Sequence, residues 1–348
     1  MSHARTNHPP TKMFSEAAEA PARVRDQLAA NRPAIKLLAE RLRERPPRAV
    51  TTLGRGSSDN AATFARYLIE TRLGVMTASS SPSVSSVYEA SPDMAGTVCL
   101  AISQSGRSPD LLAAAQAQQS AGALVVAMVN VEASPLADLA DVTLPLKAGP
   151  ELSVAATKSF ITGLAAVAQL VAEWSGDAAL VSGVDALPDQ LAKAWELDWS
   201  AAVKSLRGAE HLYVVARGLG FAIAQEAALK FKETCGLHAE AFSAAEVRHG
   251  PMALVGPSFP VLAFTQDDET EQGVEAASAA FVRQGAPVIQ VGGRASAGVL
   301  NLSSIKAHPA LEPIGQIQSF YRLADALAQA RGFDPDRPSH LAKVTETI

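Results

Sequence analysis

The chain has 348 residues, 48% of them hydrophobic, so it is long enough to bury a large core and divides most simply into two domains. Its net charge of −5, its 5% aromatic content and the lack of any basic block argue against nucleic acid as a partner. No apolar run is long and unbroken enough to span a bilayer, and the polar first residues lack a signal core, so no membrane association is expected. Cys99 lies in an apolar run and Cys235 far from it, with no CxxC and no Cys/His pairing. Both are expected as reduced thiols of a cytoplasmic protein that needs neither a metal nor a cofactor.

In chain order, residues 1–46 read as an N-terminal helical segment, with its helix over about 15–45 closed by Pro46 and Pro47. Short β-branched runs then alternate with Ala-rich helical stretches, the pattern of an α/β fold with parallel sheets covered on both faces. Strands are expected at 49–53, 75–78, 97–102, 123–129 and 142–146 in a first unit spanning 47–195. Helical stretches over 154–174 and 188–206 lead into a second unit, 196–332, with strands at 211–216, 237–241, 260–265 and 287–291. Residues 333–348 form a C-terminal tail. The second unit reads as a copy of the first: Arg55-Gly56 after the first strand matches Arg217-Gly218, and Ser103-Gln104 after the third matches Thr265-Gln266 at the same offset.

The turn Gly54-Arg55-Gly56-Ser57-Ser58-Asp59 is not a dinucleotide fingerprint, because GxGxxG fails at Asp59 and no acidic residue ends the second strand. Gly56 with Ser57 and Ser58 either lets a polyhydroxylated ligand approach the backbone or simply makes a turn. More informative is Ser103-Gln104-Ser105-Gly106-Arg107-Ser108-Pro109, which follows a buried strand directly. Ser108 suits an N-cap and Pro109 the first helical position. Free backbone N–H groups, the hydroxyls of Ser103, Ser105 and Ser108 and the Gln104 amide would converge there on one small anion; the plain alternative is a capped strand-to-helix turn. In the second copy this segment becomes Asp267-Asp268-Glu269-Thr270, whose carboxylates would repel a phosphate. The anionic ligand is therefore expected in the first unit, and other chemistry in the second.

Glu226, Lys230 and Glu233 fall at i, i+4 and i+7 on one helical stripe, with Phe221, Ala224, Ala228 and Phe231 on the opposite side. Left exposed, the stripe is a solvated face with ion pairs; covered by another segment, it is a cluster fit for catalysis. His249, in the turn before Gly250-Pro251, is either a surface histidine or a proton shuttle. Lys343, in the tail, is a solvated charge unless the tail folds over a site.

Taken together, Gly56-Ser57-Ser58, the Ser103–Gly106 turn, residues 153–158, residues 226–233, His238-Ala239-Glu240, His249-Gly250-Pro251 and Leu341-Ala342-Lys343 resemble, in that order, the isomerase half of glucosamine-6-phosphate synthase. That half is a tandem pair of sugar isomerase (SIS) domains. The resemblance runs from about residue 47 to the terminus and implies two tandem SIS domains, each a parallel five-stranded sheet flanked by helices on both faces. It assigns the sugar phosphate to Ser103, Gln104, Ser105 and Ser108, with Ser57 and Ser58 around it and Val154 and Ala156 on the substrate. It makes Glu233 the isomerising base, His249 the ring-opening group and Lys343 a Schiff-base lysine, with Lys230 and Glu226 as active-site neighbours. It also implies a homodimer in which His249 reaches across the interface. The chain departs from that pattern in three places. Ser2 stands where the glutaminase nucleophile would be, Ala156 replaces a serine, and Arg55 replaces a cysteine. The expected activity is a stand-alone isomerase and deaminase that converts glucosamine 6-phosphate to fructose 6-phosphate and ammonia. The alternatives are an aminotransferase-type isomerase lacking its glutaminase domain, a fructosamine-6-phosphate deglycase, and a non-catalytic sugar phosphate sensor.

Overall fold

The structure, a computed structural model, describes residues 10–90 and 92–341. It opens with helices α1 (Lys12–Ala18) and α2 (Ala20–Glu44). On α2, Val24, Leu28, Ile35, Leu38 and Leu42 recur at helical spacing and are all buried, so the N-terminal segment is part of the core. Gln27 Nε2 donates to the Thr162 carbonyl at 2.8 Å, and Gln169 Nε2 returns a bond of the same length to Leu28. The start of α1 is fixed from the far end of the chain: the Asp336 carboxylate accepts the Lys12 and Met13 N–H groups at 2.7 and 2.8 Å.

The first sheet follows. Its elements are β1 (Ala49–Leu53), α3 (Ser57–Leu73), β2 (Thr77–Ser79), α4 (Ser83–Ser86), β3 (Thr97–Ser103), α5 (Pro109–Ser120), β4 (Leu124–Val129), α6 (Pro135–Leu139) and β5 (Val142–Pro145). All its pairings are parallel, in the order β2-β1-β3-β4-β5. Helices α7 (Lys158–Ser175), α8 (Ala178–Trp195) and α9 (Ser200–Leu206) lead to β6 (His211–Ala216), α10 (Gly220–Cys235), β7 (His238–Ser243), β8 (Val261–Phe264), α11 (Glu271–Arg283), β9 (Val288–Val291), β10 (Val299–Leu302) and α12 (Glu312–Ala330). The second sheet is also parallel, in the order β10-β9-β8-β6-β7. Read from β7, this is the winding of the first sheet, so the duplication inferred from the Arg-Gly and Gln turns is a duplication of topology.

Strand alternation builds three core layers. On β3, Val98, Leu100 and Ile102 face a central layer shared by both sheets, while Cys99 and Ala101 face α5 and α6 on the outer side. On β6, Leu212, Val214 and Ala216 join the same central layer, and Tyr213 and Val215 face the outer cluster with α11. Helices α2, α3, α7, α10 and α12 fill the central layer, and α3 of the first unit lies directly against α10 of the second. Burial pushes the Cys99 thiol up to about 12 and the Cys235 thiol up to about 11, which leaves both unreactive.

The elements differ from expectation in several places: the N-terminal helix is two, α1 and α2, and the second strand covers Thr77–Ser79 in place of 75–78. The stretch expected as helix from 154 becomes helical only at Lys158, because the backbone ahead of it bonds to carboxylates described below. The stretch 188–206 breaks between α8 and α9, where Asp198 accepts the Ser200 N–H at 2.9 Å. Strand β10 fell outside the runs expected from sequence; it is an edge strand, paired only along β9.

Candidate active site

Both sheets reverse strand order between their first and third strands, and the crevice at the carboxyl ends of those strands is where such sheets bind ligands. In the first unit the crevice lies between the turn after β1 and the turn after β3. Gly56 has φ +57° and ψ −128°, a backbone only glycine adopts freely, and it turns the chain into α3. Gly106 has φ +64°, and a Cβ there would stand 2.3 Å from Ser134 Oγ, so the third-strand turn requires glycine as well.

A cleft of about 210 Å³ opens at this point. Its polar lining is Arg55, Ser57, Ser58, Gln104, Ser159, Lys230 and Glu233; Ala61, Ile102, Leu146, Val154, Ala156, Phe160, Gly163 and Leu341 complete the wall. The Val154–Ser159 side is shaped by two carboxylates. Glu16 of α1 accepts the Leu152 and Ser153 N–H groups at 2.5 and 3.2 Å. Glu151 accepts the Thr157 and Ser159 N–H groups at 2.9 and 3.1 Å, which caps α7.

The stripe on α10 is covered, not solvated. Glu226 and Lys230 are 0% and 1% exposed and Glu233 is 21% exposed; Lys230 and Glu233 line the cleft, and Glu226 lies behind them. Lys230 Nζ lies 2.5 Å from Glu233 Oε2 and 3.4 Å from Glu226 Oε1, and it donates to Ser57 Oγ at 3.1 Å. Glu226 accepts in addition from Ser57 Oγ at 3.0 Å, Asn60 Nδ2 at 2.9 Å and the Tyr321 hydroxyl at 3.1 Å. Burial raises the Glu226 pKa, against the pull of Lys230. For Lys230, burial alone would favour loss of the proton, but Glu226 and Glu233 outweigh it and hold the pKa above its ordinary value. Tyr321 is pushed well above the usual phenol range by burial and by Glu226, so it serves as a neutral donor.

The structure thus brings Ser57, Ser58, Gln104, Val154, Ala156, Lys230 and Glu233 to one cleft, with Glu226 directly behind. The remaining phosphate-turn residues are placed differently. Ser103 is buried and its hydroxyl accepts the Gly106 N–H at 3.0 Å, so it shapes the turn and does not line the cleft. Ser105 Oγ accepts the Arg107 N–H at 3.3 Å, and Ser108 stands at the N-cap of α5 with no capping bond from its side chain. His249 is exposed at the end of the 3-10 turn Glu246–Arg248 and does not line the cleft of its own chain. Lys343 lies outside the described residues, whereas Leu341, just before it, touches the cleft. Sequence reasoning missed Asn60, one turn along α3 from Ser57, and Tyr321, which no motif marks. It also missed Ser159 and Phe160 at the start of α7.

The matching turn of the second copy is closed on itself. Gln266 Nε2 donates to the Arg217 carbonyl at 2.9 Å and to Asp268 Oδ2 and Thr270 Oγ1 at 3.0 Å. Asp267 pairs with Lys306 at 2.9 Å. Among the described residues no group of His, Cys, Asp and Glu is arranged to hold a metal, and no helix is long and apolar enough to cross a membrane.

Two doubly wound parallel units, one with an open hydroxyl-lined cleft at its switch point and one that lends an acid–base cluster to it, define a class of tandem sugar-isomerase folds. The SIS domain family model matches residues 45–173 and 205–304, and the chain belongs to that family. It is 37% identical over 310 residues to the isomerizing glutamine–fructose-6-phosphate aminotransferase of Aeropyrum pernix, covering 84% of this chain and 50% of that protein. The chain spans about half the length of the curated relatives it matches. A structure from Silicibacter pomeroyi DSS-3, provisionally described as a phosphosugar isomerase, superposes with a TM-score of 0.90 at 41% identity, covering 94% of this chain and 100% of that one. The C-terminal domain of glucosamine-fructose-6-phosphate aminotransferase from Francisella tularensis superposes with a TM-score of 0.84 at 25% identity, covering 97% and 100%.

Proposed function

We propose that the chain isomerises and deaminates a hexosamine 6-phosphate, converting glucosamine 6-phosphate and water to fructose 6-phosphate and ammonia. The observation that carries this reading is the hydrogen-bonded contact between the two copies. Ser57, in the hydroxyl-lined turn of the first, bonds to both Glu226 and Lys230 of the second, so the ligand cradle and the acid–base cluster form one site. The names of the relatives, which point to fructose 6-phosphate and to isomerisation, support the substrate class.

In this account the Gln104 turn and the Ser57-Ser58 turn hold the phosphate, and the sugar extends toward α10. Glu233 takes the C2 proton of the opened amino sugar and returns it to C1 through an enolamine; the ketimine so formed is hydrolysed to the ketose and ammonia. The Lys230 ammonium holds the Glu233 carboxylate at 2.5 Å and so orients it as the base. Ring opening falls to His249 of a second subunit in a homodimer, since the His249 of the same chain is away from the cleft. Lys343 retains its proposed imine role on its motif alone. The experiment is conversion of glucosamine 6-phosphate by the purified protein: ammonia and fructose 6-phosphate should appear in equal amounts. Release of a free amino acid from a fructosamine 6-phosphate, with no ammonia from glucosamine 6-phosphate, would replace this reading with a deglycase.

A further inference from the structure

Arg55 stands where the family pattern has a cysteine, and the structure turns it to the cleft between the β1 and β3 turns. Its Nε donates to Asp110 Oδ2 at 2.9 Å, and its Nη2 bonds the same oxygen. Asp110 is buried, 1% exposed, while the Arg55 side chain is 51% exposed. The other Asp110 oxygen accepts the Leu111 N–H at 2.8 Å, within the first turn of α5. The guanidinium is therefore held along one edge by an acid rooted in the phosphate turn's own helix. Of its five N–H donors, two go to Asp110, which leaves three for a ligand.

The charge balance of the cleft gives those donors a task. Among the described lining residues the cations are Arg55 and Lys230. Lys230 is already shared by Glu226 and Glu233, so it has little attraction left for a dianion. Asp110 itself would repel a phosphate in the turn beside it unless Arg55 covers its charge, and Asp59 feels the same guanidinium. The second copy provides an internal comparison. Its matching arginine, Arg217, lies against α11, where a Cβ on Gly273 would stand 3.0 Å from Nη1. By the same offset, the residue matching Asp110 there is the neutral Gln272. The acid that fixes the guanidinium belongs to the copy with the open cleft.

We propose that Arg55, held by Asp110, is a specificity-determining residue that binds the 6-phosphate and makes the cleft select phosphorylated over neutral sugars. The proposal rests on reading the cleft as a hexose 6-phosphate site. Arginine suits the task because its planar fork gives paired, charge-assisted bonds to phosphate oxygens.

The test is calorimetric binding of fructose 6-phosphate, inorganic phosphate and unphosphorylated fructose to the full chain and to three variants. R55A should weaken fructose 6-phosphate and phosphate by about 10- to 100-fold, the range for losing charge-assisted bonds, with fructose unchanged. R55K, which keeps the charge and loses the fork, should fall between. R55A/D110N should bind better than R55A, because the uncovered carboxylate is gone, and worse than the unsubstituted protein. It also leaves no unpaired buried acid, so it reports even if R55A does not fold. Fructose 6-phosphate binding by folded R55A or R55A/D110N within twofold of the original overturns the proposal, as does a chain that binds no phosphate ester at all. Loss of phosphate binding in R55A, in a protein that turns over no amino sugar phosphate, would uphold Arg55 and reject the deaminase reading.

Discussion

Lys230 is a buried ammonium between two carboxylates, so its removal leaves the fully buried Glu226 without its cation. Breaking such a group by deleting one partner costs about 3–5 kcal/mol, and we predict that cost for K230M in urea denaturation at pH 8. The pH dependence follows from the two directions of shift. Lys230 has a folded pKa above the ordinary lysine value of 10.5, so its contribution is complete below that pH and is lost as pH rises through the raised value. Burial raises the folded pKa of Glu226 above 4.5, so as pH falls the group takes up its proton before reaching that value, which relieves the unpaired charge. The stability difference between the original chain and K230M should therefore be largest between these limits and shrink as pH falls toward the raised Glu226 value and again as it rises above 10.5. A difference independent of pH would contradict the assignment of charge within the cluster.

Among the elements, the central strands were the easiest to read. Residues 97–103 are buried throughout, and a strand buried on both faces shows as an unbroken apolar run. Strand β10 was unreadable for the opposite reason: Asn301 is exposed and Leu302 alone is buried, so no alternation marks it. The stripe on α10 was legible as three charged residues on one face. Its burial was not, because the groups that cover it, Ser57 and Asn60 on α3 and Tyr321 on α12, come from distant parts of the chain. The phosphate turn was legible as a turn, but not the role of each hydroxyl. Ser103 Oγ accepts the Gly106 N–H because the tight turn through Gln104 and Ser105 brings that N–H back over the strand end. The late start of α7 likewise depends on Glu151 and on Glu16, an acid that no local pattern ties to residues 152 and 153.

For the whole molecule, duplication with divergence divides the work. One copy keeps its switch-point crevice open, the other closes the same place with Gln266 and Asp268 and contributes helix α10 to its neighbour. The exposed His249 is the part of the proposed chemistry that a single chain leaves outside the cleft, and the proposed dimer supplies it. If sites are shared across a two-fold axis, H249A and E233Q proteins should each be inactive, and an equal mixture allowed to exchange subunits should recover about a quarter of the original activity. A mixture no more active than its components would place His249 outside the reaction or within its own chain's site.

The measurement closest to the central claim is the steady-state rate of fructose 6-phosphate and ammonia formation from glucosamine 6-phosphate by the original chain and by E233Q. The account predicts that kcat falls by about 10²–10⁴-fold with KM little changed, since the carboxylate moves the proton and the two turns hold the phosphate. An E233Q protein that turns over at the original rate would contradict it.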